Sequence, residues 1–181
     1  VPPESFKPPT VRRSPSTTSM DEEVARAAQI CRESKSAMVS MFNEARLGRA
    51  LRVPNLQQLV EDISASIARN PDALISLVRL KKADDYTYMH SVAVCALMLS
   101  LAKQLGLEEE QTRMAGVGGL MHDLGKASMP LEILNKPGKL TDAEFDVMKT
   151  HPEAGENVLR KGGAAAEVED IALHHHEKIN G

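Results

Sequence analysis

The chain has 181 residues, of which 42% are apolar and only 3% aromatic, with nine Met, no Trp and a net charge of −3. Such a length supports one domain with a substantial aliphatic core, and the methionines suit helical packing. The charge excludes the broad positive field that a nucleic-acid polymer needs, and no uncharged apolar run approaches a bilayer-spanning length, so a cytoplasmic protein without membrane association is expected.

From Val1 to Thr18 the chain is rich in Pro and hydroxyl residues and shows no hydrophobic period. It reads as a flexible linker from an upstream domain, and a start at Val1 rather than Met reads as a fragment of something longer. Helices are expected from residue 19 to residue 82. Ser19 opens the first with a capping box to Glu22, an apolar stripe runs through Val24, Ala28, Cys31, Met38, Phe42 and Ala45, and Gly48 closes it. That stripe suits packing within the chain, with a homodimer seam as the alternative. Asn55 is the expected cap of a second helix carrying Leu59, Ile63 and Ile67. Asn70 and Pro71 open a third.

Residues 83–181 form the expected core. Tyr86–Leu105 reads as a helix apolar nearly all round, which belongs at the centre of a fold. Gly106 ends it, and Glu108–His122 supplies the next. "MPLEILNKPGKL" reads as a turn-rich connection, Thr141 begins a second capping box, and His151-Pro152 opens a further helix. The last helix is expected to start near Ala164 and run towards His176. No segment alternates with period two, so the fold class is all-α. Cys31 and Cys95 lie far apart and read as reduced thiols.

All six histidines fall in this second part: His90, His122, His151, His174, His175 and His176. Any one alone is more often structural than a ligand. As a set they sit on successive helices or their ends, and His90 lies on the most apolar helix, where a buried imidazole needs a partner. Imidazoles suit several transition metals, and carboxylates shift the preference towards iron and manganese, with nickel, zinc and magnesium as alternatives. Asp123 follows His122 directly and has two oxygens, so it can bridge two divalent ions that activate a water for attack on phosphorus. Glu177, after His176, is a weaker bridging candidate. Lys126 would meet a phosphate oxygen as a point charge.

Together, "HDLGK", "ILNKPGKLTDAEF", "HPEAG" and "HHEKING" resemble the HD-GYP branch of the HD phosphohydrolase superfamily, over roughly Tyr86 to Gly181. The resemblance implies an HD-domain helical bundle core preceded by additional helices. It implies a two-metal phosphodiesterase, with iron or manganese, that cleaves cyclic di-GMP to linear pGpG and in some members to GMP. It places His90, His122 and Asp123 on one metal, and Asp123 with His151, His175 and His176 on the other. Lys126 matches the family lysine near the phosphate, so Asp123 and Lys126 are the catalytic candidates. His174 has no counterpart and is read as structural. Tyr86 stands where some members carry a glutamate for a third metal, so two metals are expected. A GGDEF-type partner is implied by analogy. Asn180 replaces the usual Asp of the last motif, and the chain reads as truncated before the GYP loop and a later metal-binding aspartate. Another nucleotide as substrate, or a non-catalytic helical signalling module, are the alternatives.

Overall fold

A computed structural model of the chain describes residues 19–49, 54–79 and 86–178, and within them every regular element is helical. The expected linker and the final Asn180-Gly181 lie outside the described residues. α1 spans Met20–Arg46, with Ser19 Oγ accepting from the Glu22 N–H at 3.4 Å and acidic residues filling the first turn, where the helix dipole favours them. α2 spans Pro54–Arg69. The helix begins one residue before Asn55, which therefore lies inside the first turn and is not the expected cap: Pro54 takes the first helical position, for which its ring is pre-set. α3, Pro71–Arg79, is opened by Asn70, whose Oδ1 accepts from the Asp72 N–H at 3.2 Å.

α4 spans Tyr86–Gln104 and α5 spans Glu109–Met121. The short link between them turns at Gly106, whose φ of +72° is the left-handed conformation that glycine adopts freely. These two helices form an antiparallel pair at the centre of the molecule. Next come a 3₁₀ turn over Leu124–Ser128, a short α6 over Leu131–Leu134, and α7 over Asp142–Met148, with the expected capping box between Thr141 and Glu144. α8 covers His151–Lys161. α9 covers Ala166–His174, so it starts two residues later than expected and leaves His175 and His176 just past its end.

α5 packs on α4 and α9, α8 packs on α9 and the 3₁₀ turn, and α1 packs on α2, α3, α4 and the 3₁₀ turn. One hydrophobic cluster runs through all of this, from Ala27, Met38 and Phe42 of α1 to Leu99 of α4, Leu120 of α5 and Ala172 of α9. The α1 stripe is thus spent on packing within the chain. Burial also pushes the Cys31 thiol up to about 11, as suits an inert thiol.

One expectation is corrected. α4 is central, but it is not covered all round: Leu97, Leu101 and Leu105 are 57%, 59% and 67% exposed. Val92, Cys95, Ala96 and Leu99 face the core, and the leucines share the opposite face. Residue type reports what a face tolerates, whereas coverage depends on how many neighbours the fold supplies. No helix among the described residues is long and apolar enough to cross a membrane.

Candidate metal centre

The site forms where the start of α4, the end of α5, the start of α8 and the end of α9 meet. His122 caps the C-terminus of α5, with Asp123 next, and both are buried. His151 is the first residue of α8 and also buried. His90 and His175 are half-buried, whereas His176 is exposed. The expectation of a buried His90 is met only in part: it lines the wall of a cavity of about 320 Å³, along with Val94, Met98, His122, Asp123, Lys126, Ile171, His175 and His176.

A repeated local contact aims three of the imidazoles. His122 Nδ1 lies 2.8 Å from Gly119 O, His151 Nδ1 2.7 Å from Met148 O, and His175 Nδ1 2.8 Å from Ala172 O. A carbonyl only accepts, so each Nδ1 carries the proton and donates it. Each Nε2 is then left with a lone pair directed inward. His122 Nε2 lies 3.2 Å from Asp123 Oδ2, and His151 and His175 Nε2 lie 3.4 and 3.6 Å from Asp123 Oδ1. The Nε2 atoms of His151 and His175 are only 3.1 Å apart.

Lone pairs facing one another and a carboxylate at such spacing repel unless a cation or proton lies among them. The donor set therefore fits cations. Ligand atoms of His90, His122 and Asp123 lie within 4.8 Å of one another, and so do those of Asp123, His151, His175 and His176. Asp123 is common to both groups. Partial desolvation at the cluster, and then repulsion from His175 and His151, push His176 down.

Lys126 stands one turn past Asp123 on the 3₁₀ turn. Its Nζ is 2.7 Å from Asp123 Oδ2, with a quarter of the side chain exposed to the cavity. The 3₁₀ turn can lie so close to α8 because Gly125 has no Cβ: one placed there would sit 1.8 Å from the His151 carbonyl oxygen. His174 points away from the cluster, its Nδ1 3.0 Å from Asp170 Oδ1 and its Nε2 3.6 Å from Glu177 Oε1. That contact also places Glu177 with His174 rather than with the ligand groups.

Sequence reasoning missed Val94, Met98 and Ile171 as lining residues. The signal available was their spacing: Val94 and Met98 follow His90 by four and eight residues on one helix, hence on one face.

The chain belongs to the HD domain family, which it matches over residues 45–181. Among curated relatives, a cyclic di-GMP phosphodiesterase of Pseudomonas aeruginosa is 52% identical over 169 residues, covering 93% of this chain and 41% of that protein. The 3'3'-cGAMP-specific phosphodiesterase 1 of Vibrio cholerae is 38% identical over 96 residues, covering 53% of this chain and 22% of its own. The cyclic di-GMP phosphodiesterase response regulator RpfG of Xanthomonas campestris is 43% identical over 84 residues, covering 45% and 22%. The chain thus spans less than half the length of these relatives. No solved structure matches it.

Proposed function

We propose that this chain carries the metal centre of a cytoplasmic cyclic di-GMP phosphodiesterase of the HD-GYP branch, whose product is linear pGpG or GMP. The observation that carries the reading is the pair of ligand groups joined through Asp123, with Lys126 beside them at the cavity wall. His90, His122 and Asp123 would hold one divalent ion, and Asp123, His151, His175 and His176 the other. A mixed imidazole and carboxylate set favours iron or manganese. When bound, the ions supply Lewis acidity at the phosphoryl oxygens and a nucleophile drawn from water.

The remaining work falls to the protein. Backbone carbonyls hold three Nε2 lone pairs in place, so no reorganisation of those rings is needed on binding. Lys126 balances the Asp123 charge in this arrangement and lies within reach of a phosphate oxygen in the cavity. A second cyclic dinucleotide, 3'3'-cGAMP, is favoured by the named activity of the Vibrio cholerae relative.

The test is to load the full natural protein anaerobically with Fe(II) or Mn(II) and incubate it with cyclic di-GMP and, separately, 3'3'-cGAMP. Products are resolved by chromatography, with His122→Ala as control. The expected outcome is metal-dependent pGpG or GMP, absent in the control. Bound metal with neither dinucleotide cleaved would point to another nucleotide, and neither product nor bound metal to a signalling module.

A further inference from the structure

We propose that Val94, Met98 and Ile171 form a shelf for the flat face of a purine beside the metal centre, and that this shelf does not read the hydrogen-bonding edge of the base. The inference rests on the phosphodiesterase reading above. The cavity lining is of two kinds. His90, His122, Asp123, Lys126, His175 and His176 are all charged or able to hold a cation. Val94, Met98 and Ile171 are apolar. A metal ion or a free phosphate would need the first kind alone. A nucleotide presents a charged phosphate and, a short distance away, an apolar π-face, and so matches both.

The shelf is built from the backbone of α5. A Cβ on Gly119 would lie 2.8 Å from Met98 Sδ, and one on Gly118 would lie 2.3 Å from Ile171 Cδ1. The two bare glycines let the thioether from α4 and the isoleucine from α9 lie down on α5. They do so just before the chain reaches His122, and the Gly119 carbonyl is the one that orients that ring. A floor for apolar side chains and a holder for a ligand are thus one short stretch of helix. The thioether is soft and makes favourable contacts with aromatic rings.

Volume and polarity then set limits. A cavity of about 320 Å³ is at the small end for ligand sites and suits one nucleotide unit, not both halves of a cyclic dinucleotide. Val94, Met98 and Ile171 carry no strong hydrogen-bond donor or acceptor, so this wall cannot reject a base by leaving a polar group unpaired. Guanine and adenine are accepted alike, and any choice between them is made elsewhere.

Calorimetric titration of the metal-loaded natural protein with GMP, AMP and inorganic phosphate tests this without turnover. GMP and AMP are expected to bind within about threefold of one another, and both at least about fivefold tighter than phosphate. Met98→Ala and Ile171→Ala should each weaken both nucleotides by about fivefold and leave phosphate within about twofold, whereas Met98→Leu should match the parent. The shelf is refuted if nucleotides bind no tighter than phosphate, if AMP is more than tenfold weaker than GMP, or if phosphate affinity falls in step with nucleotide affinity. Should the parent cleave no cyclic dinucleotide, the functional reading fails, and the preference for nucleotide over phosphate still decides the shelf.

Discussion

His122, His151 and His175 each donate Nδ1–H to the carbonyl three residues earlier, a contact available only at a helix end or just before a helix begins, where carbonyls lack their usual N–H partner. Local backbone geometry thereby selects the tautomer, and the tautomer selects which nitrogen meets a cation. Asp123 gathers the three Nε2 atoms because it sits between the two ligand groups. Two substitutions separate holding metal from using it. Asp123→Ala is expected to lose both ions by elemental analysis, with activity at background, and one retained ion would remove the bridging role. Lys126→Ala should keep both ions and lower turnover by about 100-fold, the scale of one lost charge-stabilising group. An unchanged rate would leave Lys126 as a mere partner of Asp123.

Two contacts between elements hold the scaffold for these residues. Where the 3₁₀ turn crosses α8, Gly125 and Gly155 face each other, and any Cβ on Gly125 collides with main chain rather than with a yielding side chain. Gly125→Ala is therefore expected to cost about 3 kcal/mol and to lower metal content, because relief of the clash moves His151. Thermal unfolding and metal analysis of the apo and loaded variant check both. The second contact joins α1 to α2. Glu23 is fully buried and accepts from Ser66 Oγ at 2.8 Å and from Arg69 Nε and a terminal nitrogen at 2.7 and 3.0 Å. The hydrogen bonds from Arg69 outweigh burial and hold its carboxyl below the ordinary 4.5. A depressed folded-state value means that this stabilisation is present above pH 4.5 and lost as the pH falls below it. In Glu23→Gln, denaturant midpoints should be lower than the parent's above pH 4.5, and the two should converge as the pH falls. Parallel curves would show that Glu23 does not titrate in the unfolding reaction.

Taken whole, the molecule ties four separate helices to one centre: His90 comes from α4, His122 from α5, His151 from α8, and His175 and His176 from just beyond α9. Ions that bind only this arrangement must stabilise the fold by mass action, by about 4 kcal/mol when free metal exceeds its dissociation constant 1,000-fold. For a chain of this length that is a melting-temperature difference of roughly 10 °C between loaded and chelated protein. No shift on chelation would mean that the ligands do not gather in the folded state.

Much of this was legible without coordinates. The 3.6-residue period, the Ser19 cap, the capping box at Thr141 and the glycine stops at Gly48 and Gly106 are local signals, because helix ends are decided by groups only a few residues apart. The six metal-ligand candidates stood out as five histidines on or beside successive helices with one adjoining aspartate. What depended on residues far apart in sequence was not. Only the packed structure puts Glu23 against Arg69 and divides α4 into a buried face and a bare row of Leu97, Leu101 and Leu105. Only that packing lays Met98 and Ile171 on Gly119 and Gly118. Sequence determines which residues are able to bind metal and which faces tolerate burial. Tertiary packing decides which lone pairs converge and which apolar faces find a neighbour, because both depend on distances between helices that no local pattern encodes.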